Sequence, residues 1–443
     1  MPRIYKLDFV KIKNNQMLGG MWYKGLYIFI TSLNALLMIK ILPPKQLGVW
    51  YIFMTLQTLI FTLNNSLVPN ISRQYTLGNH KSGLDFCCNS FHQETKRIFG
   101  ILVLVVLFLC GLLTVTYLQS VLSIFKPNNI VILIAWIFIV ISLCMEVYFS
   151  SYDCAFNGMG DFKTVNKINF ISKLFLFLSS IVLIFGQLHG EYSILCFCAL
   201  YFMSNLIKRV LINYAFKNKF KSKETDRSYN TNVYYNEIFK IIIKLSFLSL
   251  VSSVGGSFIV RGGMFILPYY VSLEDVGSYG ITYQLFEIGF NLLFTAAVIK
   301  TPQWIHLFKE GALNSLSESY RRLKIVCLLL MLFGGIFISV LGQPLLHLFA
   351  VKTPLLSLYE CLFFTLVFIL QLNHSISGQL LTIQNKIPFA LASLLTGIFV
   401  LSFSLITIPL YGVVGAISSI FIAQAIYNNW KWPLEARRLI TNA

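Results

Sequence analysis

Charge is what this sequence has least of. Asp, Glu, Lys and Arg make up 12% of its 443 residues, against roughly a quarter in a soluble domain, which needs them to cover its surface. A water-soluble globule is therefore excluded. Carboxylates are the scarcer sign, with 17 Asp and Glu against 35 Lys and Arg, so few are available to line a cation site. Paired cysteines are missing too. The nine cysteines are scattered and no CxxC occurs. Most fall in apolar stretches, where Cys acts as a small hydrophobe, and Cys196 and Cys198 alone make no metal site. The GxSxG, HExxH, P-loop and DxD patterns are absent in any plausible context, so neither covalent chemistry nor an ATP site is expected. The alternation of barrel strands is also absent, which leaves helices as the only way to cross a bilayer.

What is present is apolar length. Hydrophobic residues make up 56% of the chain and its mean hydropathy is +0.72. Many stretches reach the roughly 20 residues that span a bilayer as a helix. The pattern predicts an all-α integral membrane protein with twelve spans near 24–42, 47–66, 98–118, 130–150, 168–187, 192–213, 241–270, 277–299, 323–342, 354–376, 387–407 and 412–430. The seventh is long and reads as broken by glycines. The basic start MPRIYKLDFVKIKNNQ reads as a retained tail, because the apolar run after it exceeds signal-peptide length and no cleavage site follows.

The formal charge of +18 is a topology signal rather than a nucleic-acid footprint. Assigning Lys and Arg to alternate segments gives thirty on one side and five on the other (Lys40, Lys45, Lys126, Arg261, Lys352). By the positive-inside rule both termini are then cytoplasmic. The most basic loop, 217–223, divides the chain into a six-helix lobe at 1–222 and another at 223–443. The lobes share weak internal similarity: 41–51 and 271–280 each follow a span with a short outer turn, then a Gly and an aromatic. Two six-helix repeats are a transporter architecture, with a substrate path between them.

These segments carry a family likeness. Leu-Pro-x-x-x-x-Gly-x-Trp/Tyr runs from Leu42 to Tyr51, and a polar stretch with an Arg from Asn64 to Arg73. Asn157-Gly-Met-Gly-Asp161 follows span four, Gly277-Ser-Tyr279 enters span eight, and Pro409-Leu-Tyr-Gly-Val-Val-Gly415 enters span twelve. In this ordered set, over nearly the whole chain, the sequence resembles the polysaccharide-biosynthesis flippases, and especially the O-antigen unit flippase (Wzx-like) family, of the multidrug/oligosaccharidyl-lipid/polysaccharide exporter superfamily. The resemblance implies a MATE-like pair of lobes, alternating access, and an undecaprenyl-pyrophosphate-linked oligosaccharide moved from the cytoplasmic to the outer face of the inner membrane. It further implies a polysaccharide polymerase and a chain-length regulator as partners, besides the bilayer itself. Two departures stand out: twelve spans rather than the fourteen of lipid II flippases, and no set of several cavity arginines.

Ionisable groups at membrane depth are functional candidates by default. Arg261 lies between Gly255–Gly256 and Gly262–Gly263, which permit close helix approach or local unwinding. Its guanidinium fork suits a pyrophosphate; snorkelling or a structural ion pair are the plainer readings. Glu287 lies at matching depth across a hairpin turning near 273–274, as an ion-pair partner or a coupling switch. Glu146 shares a helical face with Asp153 and is a coupling-ion candidate. His374 is another, although such a His is more often simply hydrogen-bonded. Asn64, Asn65, Gln371 and Asn373 are candidates for sugar hydroxyls, with helix–helix hydrogen bonds at least as common a use. Glu360 and Lys40 read as snorkelling residues. No cofactor is expected; H⁺ or Na⁺ coupling stays open. The alternatives are a cation-coupled multidrug exporter, for which the first half offers only Glu146 with Asp153 at the rim, and an O-antigen polymerase or ligase, for which the outer loops are too short.

Overall fold

In the computed structural model the backbone is described for residues 3–80, 88–126, 129–186, 190, 192–220, 232–384 and 389–441, and side chains for nearly all of these from residue 19 onward, except 21, 77–80, 88–90, 220, 232–241, 244 and 245. The described residues are helical with no strand. Among the described residues, eleven helices are long and apolar enough to cross a membrane. Large hydrophobic side chains such as Phe108 and Val182 are about 70% exposed, at 70% and 69%. That much apolar surface needs lipid, not water, as its solvent.

The helices are α1 (Arg3–Ile41), α2 (Pro44–His80), α3 (Cys88–Leu113, continued by a π-turn at Thr114–Leu118 to Leu122), α4 (Ile130–Gly158), α5 (Phe162–Phe185), α6 (Ser193–Phe220), α7 (Asn232–Ile266), α8 (Leu273–Lys309), α9 (Leu313–Leu348) and α10 (Leu358–Leu381). The last helical stretch, Ala390–Ala423, is broken at Gly412, whose φ of 55° and ψ of −128° are non-helical. Ser404 and Ser419 hydroxyls meet at 2.7 Å, and the Thr407 hydroxyl donates to the Gly415 carbonyl at 2.9 Å. In a straight helix residues fifteen apart would be separated by about 22 Å. The chain therefore reverses at Gly412. We label its arms α11 (390–411) and α12 (413–423, carried by a π-turn at Gln424–Asn428 into Asn429–Thr441). The eleventh apolar stretch is thus a hairpin, which reconciles it with the two spans read at 387–407 and 412–430.

Polar side chains close the helix ends. Asp161 caps α5 through the Thr164 amide, and Ser272 caps α8 through the Asp275 amide. Glu360, expected to snorkel, instead completes a capping box with Ser357 at the start of α10, accepting from its amide at 2.9 Å. The reading of span seven as broken is likewise corrected: α7 is continuous. Its glycines serve close approach, because a Cβ on Gly255 would strike the backbone of Ser393 and Leu394, and one on Gly263 would reach Ala416 Cβ at 3.0 Å. Glycine interfaces of this kind let helices pack at backbone contact where lipid supplies no hydrophobic drive.

The chain forms two compact units, Met1–Leu42 with Leu56–Leu250, and Pro43–Thr55 with Val251–Ala443. One helix, α2, contributes to both: its first three turns belong to the second unit and the rest to the first.

Candidate functional site

In the first unit, α1, α2, α4, α5 and α6 enclose a cavity of about 700 Å³. Pro69 of α2 lies on its wall; having no N–H, it leaves the Asn65 carbonyl without a helical donor. Asn64 and Asn65 line the same wall, joined by Asn157, Asn166 and Asn169, so five amides face one space. Glu146 and Asp153 line it from α4.

Glu146 is not a lone carboxylate. Arg209 Nη2 and Lys208 Nζ approach it at 3.3 and 3.4 Å, and Arg209 Nη1 reaches Asp153 Oδ2 at 3.5 Å. The Arg209 side chain is only 1% exposed. Lys173 stands 4.9 Å over the Tyr201 ring and within electrostatic reach of Glu146, and Lys24 lies on the cavity wall. Three cations therefore crowd the two carboxylates, and Lys24 shares the cavity wall with them. The ion pairs are long, and buried Arg209 Nε, Asp153 Oδ1 and Asn64 Oδ1 have no hydrogen-bond partner among the described residues. Buried polar atoms are normally satisfied. A surplus of positive charge beside loosely held carboxylates and free amide capacity fits an anionic, hydroxyl-rich guest.

Sequence reasoning missed Lys173, Lys208 and Arg209, having assigned them to loops. The signal was there: Lys208-Arg209 falls inside the span read at 192–213, at a depth where charge is costly.

In the second unit, Arg261 of α7 and Glu287 of α8 form an ion pair at 2.8 Å, with side chains 13% and 27% exposed. The guanidinium lies 4.9 Å from the Tyr283 ring centre. Tyr51 and Tyr279 complete its surroundings, and the Tyr51 hydroxyl donates to Gln284 Oε1 at 2.5 Å. The turn between α7 and α8 occupies 267–272, slightly before the expected 273–274. Asn373 donates to Asn429 at 2.8 Å, joining α10 to the extension of α12. His374 meets the Leu370 carbonyl of its own helix at 3.1 Å, and Gln371 is half-buried on that helix. Of the expected site residues, the structure thus gathers Asn64, Asn65 and Glu146 in one cavity and Arg261 with Glu287 in one pair, while Asn373 bonds across to Asn429 and His374 bonds within its own helix.

No family model and no curated protein matches the sequence. Solved structures match in fold. A multidrug-resistance MATE-family transporter of the MOP superfamily, in its inward-facing conformation, gives a TM-score of 0.70 at 13% identity, over 95% of this chain and 96% of that one. The lipid II flippase MurJ, in an inward closed conformation, gives 0.66 at 12% identity, over 95% of this chain and 87% of that one. A MOP-superfamily transporter from Pyrococcus furiosus gives 0.54 at 13% identity, over 96% and 94%. The chain has an all-helical MATE/MurJ-like fold, built among the described residues from ten long helices and one hairpin pair.

Proposed function

We propose that this chain is a membrane flippase that moves a lipid-linked oligosaccharide, an undecaprenyl-pyrophosphate-linked surface-polysaccharide unit, across the cytoplasmic membrane by alternating access. The observation that carries this reading is the charge balance of the first-unit cavity. Lys24 and Lys208 on the wall, backed by buried Arg209, suit a diphosphate better than a cation, since ammonium groups hydrogen-bond and neutralise phosphate oxygens. The five asparagines offer donors and acceptors to sugar hydroxyls. An exporter of organic cations would need carboxylates free of basic partners, and both carboxylates here have them. The prenyl tail stays in lipid while the head travels, so no covalent step and no cofactor is needed. Glu146, shared between Lys208 and Arg209, is then a competitor that the diphosphate displaces, and a proton or Na⁺ on Glu146 would ease that displacement.

Reconstitution tests the reading. Vesicles holding the protein and a polyprenyl-diphosphate oligosaccharide should expose the glycan to a soluble lectin on the far side, and Lys208→Gln should slow exposure at least tenfold. Efflux of a cationic dye with no glycan movement would overturn the proposal. In cells, loss of the protein should leave lipid-linked units on the cytoplasmic face.

A further inference from the structure

A second cavity, of about 440 Å³, lies where the end of α8 meets the start of α9 in the second unit. It shares no residue with the first-unit cavity. Trp304 makes the junction: its ring is fully buried, and its Nε1 donates to the Ser319 hydroxyl at 3.1 Å. Lys300 lines the cavity from α8, and Ser315, Glu318, Ser319 and Arg322 line it from α9. Lys300, Arg322 and Glu318 have no ion-pair partner among the described residues. Lys300 Nζ donates once, to Gln303 Oε1 at 2.8 Å, which leaves two of its three N–H groups free. The Ser319 oxygen accepts from Trp304, and its own O–H has no acceptor among the described residues. The Ser315 hydroxyl has no partner among them either. Two cations against one carboxylate leave the cavity a net charge of +1, with a surplus of donors.

What continues from the cavity narrows its guest. Ser315, Ser319, Arg322, Val326, Leu330, Phe333 and Phe337 follow each other at spacings of three and four, so they form one stripe along α9. Val326, Leu330, Phe333 and Phe337 are 47% to 64% exposed, and such a surface takes lipid as its solvent. From Val326 to Phe337 the helix rises about 16 Å, close to half of the roughly 30 Å hydrocarbon core. The stripe therefore has a polar, cationic end and an apolar run as long as one leaflet is deep. The turn between α8 and α9 also falls on the side expected to be cytoplasmic, where anionic headgroups concentrate.

We propose that this cavity is a site for an anionic glycerophospholipid. Its phosphodiester sits between Lys300 and Arg322, and its acyl chains lie along Val326 to Phe337. A guanidinium fork and an ammonium suit phosphate oxygens, and Ser315 and Ser319 donate to the same group. The single negative charge of a phosphodiester matches the net +1 of the cavity, whereas a zwitterionic headgroup leaves that charge unanswered. Glu318 accepts from hydroxyls on an uncharged polyol headgroup. The lipid bridges α8 and α9 and takes no part in the movement of glycan.

Native mass spectrometry of the full chain tests this, with equimolar phosphatidylglycerol and phosphatidylethanolamine supplied in detergent. The protein should retain phosphatidylglycerol preferentially. Lys300→Gln and Arg322→Gln should each cut that preference about fivefold, the worth of one basic residue near an anionic lipid, and the double variant should abolish it. Arg321→Gln removes a neighbouring exposed cation that lies outside the cavity and should leave the preference unchanged. If the double variant does not fold, Ser315→Glu puts a second carboxylate at an exposed position of the cavity and should abolish the preference too. Equal retention of the two lipids overturns the proposal, as does a preference that survives in the double variant or in Ser315→Glu. An equal loss with Arg321→Gln overturns it in favour of general surface charge. Displacement of the lipid by millimolar inorganic phosphate overturns it in favour of a free-anion site. No glycan is involved, so the lipid site stands or falls separately from the flippase reading.

Discussion

Two charged clusters of this molecule are built on opposite plans. In the first unit, Lys24, Lys208, Glu146 and Asp153 line a cavity with buried Arg209 behind the carboxylates, with ion pairs of 3.3 to 3.5 Å and unfilled hydrogen-bonding capacity. In the second, one arginine and one glutamate meet at 2.8 Å, covered by tyrosines. The second pair balances its charge, although Arg261 Nε and the Tyr283 hydroxyl also lack a hydrogen-bond partner among the described residues. A cavity with surplus charge and spare donors has more to offer an anion. The contrast favours the first unit for the proposed diphosphate recognition and leaves the second with a tyrosine-flanked ion pair.

The comparison breaks most readily at Arg209. Arg209→Met removes the ion-pair partner of Asp153 and leaves Glu146 to Lys208, and removing one side of a buried ion network costs about 3–5 kcal/mol. The thermal midpoint in detergent should fall sharply, and further than for Arg261→Met; equal losses would erase the difference between the units.

A double-mutant cycle sharpens the contrast at smaller scale. Arg261→Gln with Glu287→Gln should show a coupling of about 1–3 kcal/mol, as expected for a contacting, partly buried pair. Lys208→Gln with Glu146→Gln should show less than about 1 kcal/mol, because Arg209 remains to hold Glu146. Chemical denaturation of the four variants of each cycle measures both.

The smallest effect is expected at Asn373 and His374, each of which makes a single side-chain bond away from the first-unit cavity. His374→Gln and Asn373→Ala each remove one hydrogen bond, worth about 0.5–1.5 kcal/mol. Each should change glycan exposure in the vesicle assay by less than twofold. A collapse of transport in either would return α10 to the site.

The sequence made the spans legible because apolar length and hairpin glycines are local properties. The depth of Arg261 and Glu287 was legible too, since counting residues from a turn gives height along a helix at about 1.5 Å each. The cationic wall was not. Summing Lys and Arg by segment treats every basic residue near a helix end as a topology marker, yet Lys173, Lys208 and Arg209 lie on the inward faces of α5 and α6. Only the meeting of α4 with α6 shows Lys208 and Arg209 as partners of Glu146. Nor could periodicity reveal that α2 serves two units, since nothing in its sequence changes at Thr55. Pairing of the Gly48 and Gly277 motifs needed their contact, in which a Cβ on Gly277 would lie 3.3 Å from the Gly48 amide nitrogen, although their resemblance was readable.

The reversal at Gly412 has a consequence for biosynthesis. Two apolar helices joined through one residue leave no polar loop to be carried across the membrane separately, so neither arm can enter the bilayer without drawing in the other. Thr407, Gly415, Ser404 and Ser419 already bond across the pair, satisfying polar groups that would otherwise face hydrocarbon. The C-terminal hairpin is thus a single insertion step, complete only when the chain has been synthesised well past the turn.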